Sequence, residues 1–269
     1  MSCIEVMHGV TTQQVQKLAN VDEIYLRKLL GAPVTVAKEA IFIETGKIPL
    51  EIILKSRRLL YWWNIVTQNK SSMLYKVYKA QRNCSVKGDW VKLLDEDRKE
   101  FGLESITDED LQFKYTKSRF KSYVKRKAVE ISIANLHKLK EQHSKLDDLN
   151  FEKLECAQYL IDPRISKREA KLLFRLRTKM FNVKSNYQGK YLYNMTCNLC
   201  RSATCDQPHL MQCSVLRQEV LELRDNVKIK YDHLFGSIEN IIPAIKLFSA
   251  INKRRDLICC CCCDNIVTP

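Results

Sequence analysis

Glycine and proline are scarce, with seven and six residues in a chain of 269. Folds built from many short strands and tight turns need more of both, so long, seldom-punctuated helices are expected. No apolar run reaches the ~18 residues that a membrane-spanning helix requires. The amino terminus, MSCIEVMHGVTTQQ, has no basic stretch followed by an apolar one, so no secretory leader is expected. These absences point to an intracellular chain, nuclear and/or cytoplasmic, with no membrane partner and with reduced cysteines. Acidic residues are also in short supply. Lys and Arg number 45 against 31 Asp and Glu, a net charge of +14 that attracts polyanions and says little about fold. Catalytic patterns are missing as well: there is no paired-carboxylate arrangement, no nucleophile–base pattern and no phosphate-cradling loop. Asp147 and Asp148 follow the polar run KEQHSK, not apolar strands, and read as a turn at a helix terminus.

What is present reads as mainly α. Helical spacing runs over 11–30 (Val15, Leu18, Val21, Tyr25, Leu26, Leu29), with Gly31 as a left-handed stop. A helix over 35–45 has Thr35 as N-cap and Gly46 as stop. A third opens at Pro49 and carries a wide apolar face of Ile52, Ile53, Leu59, Leu60, Trp62, Trp63 and Val66, with Lys55, Arg57 and Arg58 opposite. Helices follow over 71–81 and 89–101, Gly102 closes the second, and Thr107 starts a further turn. The stretch from Lys117 to Lys140 reads as one long helix. Seven basic residues and no acid lie between Lys114 and Val129, among them Lys117, Arg119, Lys121, Lys125 and Arg126, with Tyr115, Phe120 and Tyr123 interleaved. A merely solvated helix usually mixes signs, so this one-sided charge suits phosphate contact.

Ser166 and Glu169 form an S-x-x-E capping box, and Leu172, Leu173, Leu176 and Met180 supply the buried stripe behind it. From Arg164 to Lys190 there are nine Lys or Arg and one acid, Glu169. This window includes Lys184 and leads into CNLCRSATCDQPHLMQC, residues 197–213. Beyond it, 214–235 suits one or two helices, and SIENIIPAIKLFSAINKRR another.

The twelve cysteines fall into three groups. Cys3, Cys84 and Cys156 are isolated, and Cys259 to Cys263 form a homopolymer. Cys197, Cys200, His209 and Cys213 form C-x2-C-x8-H-x3-C. The first pair can bend both thiolates toward one ion, and H-x3-C at a helix start puts its two side chains on one face. Three thiolates and an imidazole complete the tetrahedral shell of a structural zinc, leaving no position for a reactive water. Cys205 is the spare: it either competes as a ligand or sits free. His209 ranks ahead of it, because a shell using Cys205 strands the H-x3-C pair.

Four stretches in succession now carry a likeness. They are IYLRKLLGAPVTVAKEAIFIETGKIPLEIILKSRRLLYWWNIV, SSMLYKVYKAQ with VKGDWVKLLDEDRKEFGL, SKREAKLLFRLRTKMFNVKSNYQGKY, and the Cys-Cys-His-Cys segment. Together they resemble the C-terminal, post-polymerase region of LINE-type (non-LTR) retrotransposon reverse transcriptases, over about residues 20–220. The resemblance implies a helical thumb- or linker-like region over 1–160 and a basic helix with a zinc knuckle over 161–220. C-terminal helices over 221–258 and a disordered Cys-rich tail over 259–269 complete the expected organisation. It implies template RNA and/or target DNA as partner, with Arg168, Lys171, Arg175, Arg177 and Lys179 as the nucleic-acid face. The polymerase aspartate motif and the endonuclease of that family are missing, which suggests a truncated element or a gene model covering only its tail. A reverse transcriptase core would then act in trans. The Cys run in LICCCCCDNIVTP reads as translated simple-sequence DNA, with palmitoylation beside KRR as its rival. The competing reading of the whole is a non-catalytic helical scaffold, with zinc purely structural and the apolar helix over 49–66 missing a partner.

Overall fold

The computed structural model describes residues 12–84, 90–186, 194–216 and 229–259. Several expectations lie outside these residues: Cys3, Lys190, the segment 217–228 and the tail beyond Cys259. The described residues are mainly helical. Ten α-helices run α1 (Thr12–Leu30), α2 (Lys38–Thr45), α3 (Leu50–Val66), α4 (Met73–Cys84), α5 (Trp90–Glu100), α6 (Asp108–Lys114), α7 (Lys117–Lys140), α8 (Lys167–Arg177), α9 (Gln207–Leu210) and α10 (Ile238–Cys259). The β pairing among the described residues is the antiparallel bridge Thr196–Thr204.

Two compact units form, and neither is continuous in sequence. The first takes Met1–Tyr25, Gly46–Leu139 and Glu152–Leu154, and the second takes Leu26–Thr45, Lys140–Phe151 and Glu155–Pro269. The boundaries expected at 160 and 220 therefore differ from the packing: α2 belongs with the C-terminal half. Its residues Glu39 to Glu44 are buried almost without interruption, which demands partners on every side.

In the first unit, α3 to α7 close around Trp62. Thr107 caps α6 in a full capping box with Asp110. This places Asp108, only 4% exposed, under the core. Its carboxylate accepts from Trp62 Nε1 (3.0 Å), Tyr78 OH (2.9 Å) and Lys79 Nζ (3.0 Å). Burial works against the Asp108 charge, but the donations from Lys79, Trp62 and Tyr78 and the Arg82 cation outweigh it and hold the carboxyl below its ordinary range. The Arg98 guanidinium lies 4.6 Å from the Trp62 ring centroid.

One expectation fails here. Arg58 does not face solvent: its Nε is 2.6 Å from Asp97 on α5. The apolar face of α3 is core, with Ile52, Leu59, Trp62 and Val66 buried, so it does not lack the partner that the competing scaffold reading supposes. The exposed apolar stripe is instead on α1, where Leu18, Val21, Tyr25 and Leu29 face outward and only Leu26 and Leu30 are buried. Spacing identifies a helix without saying which side meets a neighbour. The start of α2 also lies at Lys38, three residues beyond the expected Thr35 cap.

Asp108→Asn removes the negative charge from a cage of donors and should cost the first unit about 3–5 kcal/mol. Because the Asp108 carboxyl is held low, its stabilisation is complete above the ~3.9 of an unfolded aspartate and fades as pH falls through the lower folded value. Chemical denaturation from pH 7 to 2 should show a shallower acid loss in Asp108→Asn than in wild type. Parallel curves would contradict this assignment.

Candidate metal centre and basic surfaces

The Cys–His segment folds as a bridge followed by a single helical turn. Cys197 N donates to Ala203 O (2.7 Å) and Arg201 N to Cys197 O (2.9 Å), with Arg201 at φ 54 closing the C-x2-C bend. Cys205 N donates to Met195 O (2.7 Å). Asp206 then caps α9, its side chain accepting from His209 N at 2.6 Å. Cys213 lies past the end of α9, just before the 3-10 turn Ser214–Leu216. The H-x3-C pair is therefore not carried by one continuous helix; the Cap at Met211 turns the chain and returns Cys213 to His209.

One ligand atom from each of Cys197, Cys200, His209 and Cys213 lies within 4.8 Å of all the others. Cys200 Sγ and His209 Nε2 are 3.3 Å apart. Ligands placed ~2.0–2.3 Å from a shared ion need about this span, so the four residues can hold a metal ion, and three thiolates with one imidazole suit zinc. Ser202 Oγ donates to Cys200 Sγ at 3.2 Å and draws the thiol down to about 6, while burial pushes Cys213 up to about 11. Cys205 stands outside this group. It is buried in the apolar cluster of the second unit, which also holds Leu176, Leu210 and Phe248.

Gln207, which the sequence did not single out, ties this segment to the basic helix. It is 3% exposed. Its Nε2 donates to Leu176 O (2.9 Å) and Tyr231 OH (2.6 Å), and its Oε1 accepts from Asn186 Nδ2 (3.0 Å). The cluster's helical turn thus hangs from the last turn of α8. That helix begins at the expected capping box, with Ser166 and Glu169 bonded reciprocally. It buries Leu173, Phe174 and Leu176.

The residues assigned to nucleic acid divide into two sets. Arg177 and Lys184 are corrections. The Arg177 side chain is 13% exposed. Its Nε lies 2.8 Å from Glu44 Oε1 and its Nη1 donates to Leu234 O at 2.6 Å. The guanidinium sits 5.5 Å from the Tyr159 ring centroid and 5.2 Å from that of Phe235. All its charge is spent inside the protein. Lys184 is 8% exposed, with Nζ 3.4 Å from Asn194 Oδ1, and is equally withdrawn. Lys179 is held by Asp148 at 3.0 Å.

Arg168, Lys171 and Arg175 remain exposed and recur at i, i+3, i+7 on the solvent face of α8. Arg175 Nε donates to Gly31 O at 3.2 Å, and the Lys171 stem lies against Gly31, so both side chains leave the surface at fixed points. On α7, Lys117, Lys121, Lys125, Arg119 and Arg126 are all exposed. Successive residues step ~100° around a helix. On that count Lys125, Arg126 and Arg119, with Ser118 and Ser122, form an arc turned away from buried Phe120, Val124 and Ala128, while Lys121 borders that stripe and Lys117 lies in line with it in the exposed first turn. Arg126 shares its charge with Glu130 at 3.6 Å. The interleaved aromatics do not face outward. Phe120 is in the core, and Tyr115 and Tyr123 pack on each other with centroids 5.6 Å apart.

No family model, no curated protein and no solved structure matches this chain.

Purified protein loaded with zinc should hold one ion per chain. Cys213→Ser and His209→Ala should each weaken binding by more than the ~10–100-fold that loss of a supporting residue costs. Cys205→Ser should leave both stoichiometry and affinity unchanged. Competition with a chromogenic chelator reads all three variants, and metal loss in Cys205→Ser would overturn the ligand set.

Proposed function

We propose that this chain is a nucleic-acid-binding, zinc-knuckle fragment of a LINE-type retrotransposon reverse transcriptase. It holds template RNA or target DNA and performs no polymerase chemistry itself. A polymerase core acts in trans, in the nucleus and/or the cytoplasm. The observation that carries this reading is the attachment of the Cys–His cluster to the basic helix through Gln207. A small segment with few apolar residues gains a fixed shape when its ligands share an ion, and it passes that order to the helix it hangs from. Cys197, Cys200, His209 and Cys213 would hold the zinc, whose part is to supply folding energy.

Phosphates are the natural ligands of the exposed cations. Arg168, Lys171 and Arg175 on α8, and Lys117, Arg119, Lys121, Lys125 and Arg126 on α7, displace condensed counterions when they meet a backbone. Arg side chains can also stack on unpaired bases. With Phe120 in the core and Tyr115 against Tyr123, stacking falls to arginine. These contacts fix position without reading sequence.

A helical scaffold with a purely structural metal is the second reading. It is favoured by the exposed apolar stripe Leu18, Val21, Tyr25 and Leu29 on α1, which suits a protein surface better than a phosphate.

Binding to a structured RNA and to nicked duplex DNA, measured from 50 to 300 mM salt (on the order of the range where counterion release is resolved), separates the two. The nucleic-acid reading requires tight binding with a steep salt slope, weakened in Cys213→Ser. Weak binding that ignores both salt and substitution selects the scaffold.

A further inference from the structure

The most basic window in the sequence ends before the Cys–His segment, yet the charge on the second unit does not end there. α10 packs against α8, and further contacts tie it to the segments that flank α8. At the start, Arg164, just ahead of α8, pairs with Glu239 in the first turn of α10 at 3.3 Å. At the far end, Arg255 of α10 donates to Asn182 O at 2.7 Å and lies 5.4 Å from the Phe181 ring centroid. Leu173 and Leu176 of α8 share one apolar cluster with Ile241, Ile245 and Phe248 of α10.

Two lysines of α10, Lys246 and Lys253, are exposed and seven residues apart, hence on one stripe. Neither has an ion-pair partner among the described residues. Both lie near Glu169 of α8: after the Ser166 bonds, their charges help hold the Glu169 carboxyl below its ordinary range. Glu169 itself is engaged by Ser166 N (2.9 Å) and Oγ (2.7 Å), so it closes the cap of α8 and is not free to neutralise the lysines.

We propose that the phosphate-binding surface of the second unit spans both helices, with Lys246 and Lys253 as contacts to a nucleic-acid backbone alongside Arg168, Lys171 and Arg175. This rests on the nucleic-acid reading above. A backbone lying across two packed helices meets cations on both, and its orientation is set more tightly than one helix can manage. Arg255 has a different part: it faces Phe181 and Asn182 and positions α10.

The test is the salt dependence of binding for wild type, Lys246→Gln/Lys253→Gln, Arg168→Gln/Arg175→Gln, and a control of equal charge loss, Lys92→Gln/Lys153→Gln. Lys92 and Lys153 are exposed and belong to the first unit. Two lost phosphate contacts should lower the log–log slope by about 1.8 on duplex DNA and about 1.4 on single strands. The α10 pair should show that loss at unchanged melting temperature, and the control should not. The two probes also say whether the occupant is duplex or single-stranded. A wild-type slope in the α10 pair while the α8 pair loses its own, or an equal loss in the control, overturns the two-helix surface. A wild type that binds neither probe overturns it together with the reading beneath it.

Discussion

A guanidinium taken almost wholly out of water is the constraint on which the second unit depends. Arg177 would cost several kcal/mol in that position without compensation. Glu44, the Leu234 carbonyl and two aromatic rings supply it, and they come from α2, the 3-10 turn Gln158–Leu160 and the 3-10 turn Tyr231–Phe235. One side chain therefore fixes the last turn of α8 against three segments remote in sequence. Once that turn is fixed, the Leu176 carbonyl becomes a defined acceptor for Gln207, and the Cys–His segment has a place to hang. The buried charge and the metal-ligand geometry are successive links in one chain of support.

The same constraint sorts the basic residues by use. A run such as LFRLRTKM presents its cations alternately inward and outward. Those turned inward, Arg177 and Lys184, are consumed by internal acceptors, whereas Arg168, Lys171 and Arg175 keep their charge at the surface. Charge density along a sequence thus overstates the charge a polyanion meets. Packing brings in other cations: α10, which shares the apolar cluster of α8, carries exposed Lys246 and Lys253 far along the chain.

Local signals in the sequence carried well where the physics was local. The S-x-x-E cap at Ser166 and Glu169, the stop glycines at 31, 46 and 102, and the bounds of α7 all follow from neighbours within a turn. That Cys197, Cys200, His209 and Cys213 come together was legible for a similar reason, since spacing within seventeen residues is nearly a geometric statement. Arrangements set by distant partners were not. Nothing beside Arg177 in sequence announces Glu44, and nothing beside Arg58 announces Asp97. Gln207 carries no pattern in the sequence, a glutamine next to a proline; its three hydrogen bonds exist only after folding. The stripe on α1 has a helical period and yet is exposed, because a period does not name a neighbour.

The central claim is that the Cys–His segment and the basic helix form one cooperative element ordered by metal. Hydrogen exchange of the zinc-loaded protein, before and after chelation, tests it most directly. The account predicts that amides over 167–177 lose protection together with those over 196–213, while α3 and α7 of the first unit keep theirs. Retained protection over 167–177 after the metal-binding segment has opened would contradict it.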